Sequence, residues 1–100
     1  MVCIFVMKVR LFTRKTIQNY AANNPQCRAQ LVEWWQKLKD ANWNFPVDIL
    51  QTYTTADLLG NGSSRVVFDI AGNRFRLICE YRFGESLVEL YVSWIGTHTQ

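Results

Sequence analysis

Residues 65–98, RVVFDIAGNRFRLICEYRFGESLVELYVSWIGTH, decide the fold. Three apolar-rich runs are separated by two short segments, residues 71–73 and residues 84–86, and each segment contains a glycine. Runs of this length with glycine-containing turns between them are typical of antiparallel strands joined by hairpins. The sequence therefore predicts an antiparallel meander of three strands.

The middle run alternates between two classes of residue. One parity is apolar, and its members are Phe75, Leu77, Cys79, Tyr81 and Phe83. The other parity consists of Arg74, Arg76, Ile78, Glu80 and Arg82. Because successive strand residues point to opposite faces of a sheet, we expect the apolar face to be packed against a core. The reverse face carries three arginines and is expected to stay open to solvent.

The beginning of the chain predicts another strand. Residues 1–12 are rich in Val, Ile and Phe, and charged and apolar residues alternate from Met7 onward, which indicates a strand beside the meander. We expect residues 1–6 to be an N-terminal extension of the domain. Thr13 is in position to cap a short helix over residues 16–22.

A second helix is predicted after Asn24, which would be its N-cap, with Pro25 at the first helical position. One apolar stripe at the spacing i, i+4, i+7, i+8 and i+11 is formed by Cys27, Leu31, Trp34, Trp35 and Leu38. This helix should end near residues 42–43, because the approaching Pro46 disfavours its continuation. One helical turn over residues 47–52 and a flexible loop over residues 60–64 are expected before the meander.

The predicted element order is therefore β-α-α-β-β-β, in a single domain of residues 1–100. A helical hairpin packed on the apolar face of a small antiparallel sheet is an α+β architecture. The length of 100 residues, with 49% apolar and 19% charged residues, is sufficient for one folded core. The same composition excludes an intrinsically disordered chain.

The net charge of +3 is unevenly distributed. The first 50 residues hold seven Lys or Arg and three Asp or Glu, whereas the last 50 hold four and five. The basic residues Lys8, Arg10, Arg14 and Lys15 precede every acidic residue. A basic segment of this kind suits an acidic partner such as nucleic acid.

Cysteine and histidine usage argues against a metal centre. Cys3, Cys27 and Cys79 are an odd number and form no C-x-x-C pair, and His98 is the only histidine. These residues cannot supply four ligands at the spacing of a zinc site, so we expect no metal or other cofactor. Buried, reduced thiols in a cytoplasmic protein are the expected state. Residues 1–7 are too short an apolar run to span a membrane.

The arginines of the open face are candidates for binding a phosphodiester. Guanidinium groups match phosphate oxygens two at a time and keep their charge near neutral pH. Arg74, Arg76 and Arg82 would be joined by Arg65 at the start of the first meander strand. The alternative is an ordinary solvated strand face on which Glu80 pairs with a neighbouring arginine.

His98 is the only side chain whose ordinary pKa lies near neutrality. Metal-free RNA cleavage requires a base for the 2′-hydroxyl, an acid for the departing 5′-oxygen and cations at the phosphorane. Histidine can fill either proton role, and arginine can supply the cation. The alternative is a surface histidine near the C-terminus. Tyr91 has the opposite parity to Leu90 and Val92, so it is a candidate for stacking on a base. At least three of the four tryptophans are expected in the core or between helix and sheet.

The sequence resembles the HigB-type toxins of the RelE superfamily over about residues 7–100. The similar segments are MKVR at 7–10, RKT at 14–16, NP at 24–25, ANW at 41–43, RVVFDIAGNRFRL at 65–77 and IGTH at 95–98. The run RVVFDIAGN with its following arginines and the Gly-Thr-His ending is the specific part. The helical half is a weaker indication.

This resemblance implies a RelE-like microbial RNase fold and an mRNA endonuclease that uses no metal. Such toxins cut messages, in many cases on the ribosome, and inhibit translation and growth. The implied partner is a HigA-like antitoxin with a helix-turn-helix, and DNA is contacted only through that antitoxin. The family motif maps onto Asn73, Arg76 and His98, with a basic residue also usual at Arg74. Family members normally continue as His-x-x-Tyr-Asp, whereas this sequence ends at Gln100, so we expect a shortened C-terminus.

Two classes of function therefore follow from the sequence. The first is a toxin endoribonuclease with His98, Arg76 and Arg74 in catalysis. Its RNA-binding residues would be Arg65, Asn73, Arg82, Lys8, Arg10, Arg14, Lys15 and Tyr91. The second is a non-catalytic RNA-binding domain, or a degenerate toxin that retains only its antitoxin interface.

Overall fold

A computed structural model describes residues 7–60 and 62–97. The elements, in chain order, are β1 Lys8–Leu11, α1 Arg14–Asn23, a 3-10 turn Pro25–Cys27, α2 Arg28–Lys39, a 3-10 turn Pro46–Asp48, α3 Ile49–Thr52, β2 Asp57–Leu58, β3 Arg65–Ile70, β4 Phe75–Phe83 and β5 Leu87–Thr97. The described part is α+β, as the sequence predicts, with the helices on one side of a five-stranded sheet. The expectations for Cys3, Asn61, His98 and residues 1–6 lie outside the described residues.

The strand order is β1-β5-β4-β3-β2. The predicted meander is confirmed, because β3 pairs antiparallel with β4 and β4 pairs antiparallel with β5. The expectation of a purely antiparallel sheet is wrong, because β1 runs parallel to β5. A parallel pair needs a long connection between its strands, and here the helices and the meander supply it. The short edge strand β2 was not predicted.

The predicted alternation of β4 is confirmed. Phe75, Leu77 and Cys79 are buried under the helices, whereas Glu80 and Arg82 are exposed on the reverse face. The core between sheet and helices also contains the predicted α2 stripe, in which Trp35 is the half-buried member. Cys27 and Cys79 are free and buried, and burial raises the pKa of both thiols.

The first helix begins earlier than predicted, at Arg14, and Thr13 does not cap it with its side chain. The Thr13 hydroxyl instead accepts the Val92 backbone N–H at 2.6 Å, which ties the start of α1 to β5. Asn24 likewise makes no side-chain cap, because its amide donates to the Tyr20 carbonyl at 3.0 Å. Pro25 does occupy the first turn of the following 3-10 segment. No helix in the described ranges has the length and apolarity to cross a membrane.

Candidate functional site

The open face is the side of the sheet that the helices do not cover. We use this name for the side chains that alternate with the buried ones on β3, β4, β5 and β1. Strand register aligns them in rows across the sheet. The row at one end contains Asp69 of β3, Arg76 of β4 and Gly96 of β5. We call these three residues the Arg76 row.

The Arg76 row has the features expected of a site that binds an anion. Arg76 is half-buried and lies between Asp69 on one side and the glycine at position 96 on the other. Because glycine has no side chain, position 96 of β5 places no side chain beside Arg76 in register. A partly desolvated guanidinium interacts more strongly with an anion than a fully hydrated one does. The row therefore combines a half-buried guanidinium with a carboxylate next to it in register.

The turn between β3 and β4 lies beside this row and places two more predicted residues. Asn73 and Arg74 are exposed in the turn, and the Arg74 N–H donates to the Ala71 carbonyl at 3.4 Å. Ala71 and Gly72 have φ values of 56° and 68°. This left-handed conformation is unusual for alanine, and the hairpin pairing on either side of the turn holds it in place.

The last strand, β5, also ends at this end of the sheet. Thr97 of β5 is paired with Phe75 of β4, the residue next to Arg76. His98 follows Thr97 in the sequence and lies outside the described residues. The structure therefore brings Asn73, Arg74 and Arg76 to the end of the sheet at which β5 stops and the turn between β3 and β4 lies.

The remaining arginines of the open face lie in other rows. Arg82 is six residues from Arg76 on the same strand, which corresponds to roughly 20 Å at the usual strand rise. Arg65 is paired with Glu80, and Arg82 is paired with Glu89. One phosphate cannot contact Arg76 and Arg82 together, so the arginines form a line along the sheet. Each of these arginines also has a carboxylate beside it in register.

Tyr91 of β5 and the basic N-terminal residues lie toward the β1 side of the sheet. Tyr91 stacks on Phe12, with ring centroids 5.2 Å apart, and its hydroxyl donates to Glu89 at 2.6 Å. The hydrogen bond to Glu89 raises the pKa of Tyr91. Lys8 and Arg10 are exposed on β1, while Arg14 and Lys15 form the first turn of α1. These four residues are well separated from the Arg76 row.

Trp94 is an open-face residue that sequence reasoning missed. It has the same parity as Leu90 and Val92, which are on the core side, so simple alternation assigns it to the core. The register between β4 and β5 shifts by one residue at Ser93, so Trp94 is paired with Ile78 and is 37% exposed. A bulge of this kind reverses the parity of all residues that follow it. The sequence carries no signal for it.

Asp69 was also missed, although the sequence contains the necessary information. A hairpin centred on residues 71–74 pairs Ile70 with Phe75 and therefore Asp69 with Arg76. Counting outward from the turn would have placed the carboxylate beside the arginine. In the described ranges no three His, Cys, Asp or Glu side chains come together in a group able to hold a metal ion.

Comparison with known proteins supports the resemblance seen in the sequence. A search of curated proteins found no significant match. The family model of HigB_toxin, described as the RelE-like toxic component of a toxin–antitoxin system, matches residues 27–100. The matched segment includes α2, the whole meander and the Arg76 row. This chain therefore belongs to the HigB_toxin family of RelE-like toxins.

Proposed function

We propose that this toxin is an endoribonuclease that cleaves messenger RNA and thereby inhibits translation and growth in the cytoplasm. The observation that carries the proposal is the Arg76 row. It combines a half-buried guanidinium, in register with Asp69 on an uncovered sheet face, with a position close to Thr97 of β5, the residue that precedes His98 in the sequence. Asn73 and Arg74 in the adjacent turn would complete the site.

The proposed reaction is an internal transfer within the RNA. The 2′-oxygen attacks the neighbouring phosphorus and the bond from phosphorus to the 5′-oxygen breaks, which leaves a 2′,3′-cyclic phosphate and a 5′-hydroxyl. One proton leaves the 2′-hydroxyl and another is given to the departing oxygen. His98 is assigned to one of these transfers. Arg76 and Arg74 stabilise the extra negative charge of the phosphorane.

The rest of the open face would bind the message on either side of the cleaved bond. Arg65 and Arg82 lie along the sheet, where they can contact successive phosphates. Tyr91 offers an aromatic edge near this line of arginines, and the exposed Trp94 is a further surface for a base. Both tryptophan and tyrosine stack on bases without strong sequence preference.

The family to which the chain belongs acts with an antitoxin. We propose that this partner is a HigA-like helix-turn-helix protein and that cleavage takes place on the ribosome. Both points can be tested together. Purified toxin would be incubated with a defined message, with and without ribosomes, and the new 5′ ends would be mapped by primer extension. Ribosome-dependent cleavage that stops on addition of the antitoxin is the expected result.

The catalytic assignments are tested by substitution. His98→Ala is expected to lower the cleavage rate by about 10²–10⁴-fold, and Arg76→Ala by about 10²–10³-fold. Arg82→Ala is the matched control, since it removes an arginine from the same face of the same strand. It should lower the rate far less than Arg76→Ala does. If His98→Ala and Arg76→Ala are folded and remain fully toxic on induction, the catalytic assignment of these residues is wrong.

A further inference from the structure

A second basic surface lies away from the Arg76 row, in a groove between β1 and the helices. The groove has a volume of about 540 Å³. Arg10 and Phe12 line it from the β1 side, Arg14 and Lys15 from the start of α1, and Trp35 and Lys39 from the end of α2. We call this the Trp35 groove.

The charge of the Trp35 groove differs from that of the open face. Four of its lining residues are Lys or Arg, and its lining includes no Asp or Glu. On the open face Arg65, Arg76 and Arg82 each lie beside a carboxylate in register, whereas of the four groove cations strand register places only Arg10 beside one, that of Glu89. A concave surface lined by cations of one sign concentrates anions at its floor. The groove is therefore the more strongly anion-attracting of the two surfaces.

Trp35 holds two of these cations in place. The Lys39 ammonium lies 4.4 Å from the centroid of the Trp35 ring, and the Arg14 guanidinium carbon lies 5.7 Å from it. Both distances are within the range of attraction between a cation and an aromatic ring. Trp35 itself packs against the core. Cations from two helices are thus positioned over one fixed ring, so they lose less freedom when an anion binds.

The Trp35 groove is continuous with the open face around the edge of the sheet. Arg10 is paired with Glu89 on the open face and also lines the groove. Its guanidinium carbon lies 5.2 Å from the centroid of Phe12, and Phe12 stacks on Tyr91. A single-stranded RNA that lies across the open face can therefore pass over Tyr91 and Phe12 into the groove. From strand rise and spacing, this path is about 17 Å long from Arg76 to Phe12.

We propose that the Trp35 groove binds the phosphate backbone of the message, several nucleotides away from the bond that the open face cleaves. This inference rests on the proposed function and names a second contact with the same RNA. The continuity with Tyr91 and the open face favours RNA over an acidic protein segment. Guanidinium forks such as those of Arg10 and Arg14 also match phosphate oxygens two at a time.

The test measures binding of an RNA that cannot be cleaved. The probe is a 2′-O-methyl RNA of about 16 nucleotides, the upper end of the site size of a small single-strand-binding domain. Lys39→Gln and Arg14→Gln should each weaken its affinity by about 3–10-fold and lower the slope of log affinity against log salt by about 0.7. Trp35→Leu removes no charge, yet should weaken affinity by about 2–5-fold, since it releases both cations.

Lys37→Gln is the matched control. This substitution removes the same charge from the same helix, and Lys37 lines a different depression whose lining includes the carboxylates of Glu33 and Asp69. It should change affinity less than about twofold, as expected for a lysine that contacts no phosphate. Equal losses from Lys37→Gln and Lys39→Gln would mean that only net charge matters, and the groove proposal would be wrong. A methylated tetranucleotide that covers only the Arg76 row should bind the groove variants and the unsubstituted protein equally.

Two further outcomes separate this inference from others. An oligoglutamate peptide serves as a second probe, and loss of peptide binding with unchanged RNA binding in the groove variants would assign the groove to an acidic protein. Cleavage of an unmethylated message by the unsubstituted protein is measured separately. If the unsubstituted protein cleaves the message but all groove variants bind RNA with unaltered affinity, only the groove proposal is wrong. If the unsubstituted protein does not cleave the message but the groove variants lose affinity as expected, only the nuclease proposal is wrong.

Discussion

The same helices line the core and the Trp35 groove, yet local sequence preferences favour the fold in the core and disfavour it in the groove. Leu38 and Lys39 are consecutive residues of α2, and Leu38 is 1% exposed in the core while Lys39 lies over Trp35 in the groove. In the core, apolar periodicity and burial favour the same fold, and hydrogen bonding supports it except at the buried Trp34 Nε1–H, which has no partner among the described residues. The Tyr53 hydroxyl, for instance, donates to the Trp34 carbonyl at 2.5 Å.

The groove contains an arrangement that opposes folding. The first turn of α1 holds Arg14 and Lys15 and no acidic residue. The N-terminus of a helix carries a partial positive charge, so acidic side chains are favourable there and basic ones are not. Local preferences that disagree with the fold are expected at functional sites. This difference agrees with our proposal that the groove residues serve binding, whereas the core residues serve stability.

The largest expected effect tests this division on one helix. Leu38→Ala should lower the free energy of unfolding by about 2–5 kcal/mol, because it leaves a cavity among closely packed residues. Lys39→Ala should lower it by less than about 1 kcal/mol, since it removes one partly solvated contact with Trp35. Urea denaturation followed by circular dichroism measures both values. A Lys39→Ala loss as large as that of Leu38→Ala would contradict the division.

The same division explains which parts of the fold could be predicted. The alternation of β4 and the stripe of α2 are short-range patterns, and burial follows them directly. The parallel pairing of β1 with β5 is a long-range contact that no local pattern records. Thr13 illustrates the same limit, because its predicted capping role is replaced by a hydrogen bond to a residue 79 positions away.

The sequence predicts the candidate site residues by their type, and the structure adds the distances between them. Arg74, Arg76 and Arg82 have one parity in the sequence, but strand rise separates Arg76 from Arg82 by roughly 20 Å. Trp35 reads as a core residue, since it lies on the apolar stripe of α2. Its role beneath Lys39 and Arg14 depends on how α1 packs against α2, and sequence periodicity contains no information on that packing.

A second prediction concerns titration in the core. Burial raises the pKa of the Cys79 thiol above its ordinary value of 9.0, so the folded protein keeps this thiol protonated. In the unfolded chain the thiol ionises near its ordinary value. Above pH 9 the unfolded state therefore loses a proton that the folded state retains. The free energy of unfolding should fall as pH rises, by up to about 1.4 kcal/mol per pH unit from this group.

The control is Cys79→Ala, measured by urea denaturation between about pH 7 and pH 10. This variant should be less stable at neutral pH, because it leaves a small cavity. Its stability should nevertheless decline less steeply above pH 9 than that of the unsubstituted protein. Burial also raises the pKa of Cys27, so part of the decline should remain. Identical slopes in both proteins would show that Cys79 is not the group responsible.

The smallest expected effect addresses the groove itself. Lys15→Glu exchanges a cation for an anion in the first turn of α1, where Lys15 is exposed. The helix dipole should then raise the free energy of unfolding by about 0.3–1 kcal/mol, while the loss of a groove cation weakens RNA binding. A more stable variant with poorer binding cannot be explained by misfolding.

Gln18→Glu, one turn further along α1 and also lining the groove, is the companion variant. It introduces an anion into the groove farther from the helix terminus, so it should weaken RNA binding with a smaller gain in stability. If Lys15→Glu lowers the free energy of unfolding, or if it leaves RNA affinity unchanged, then the basic residues in the first turn of α1 do not serve binding.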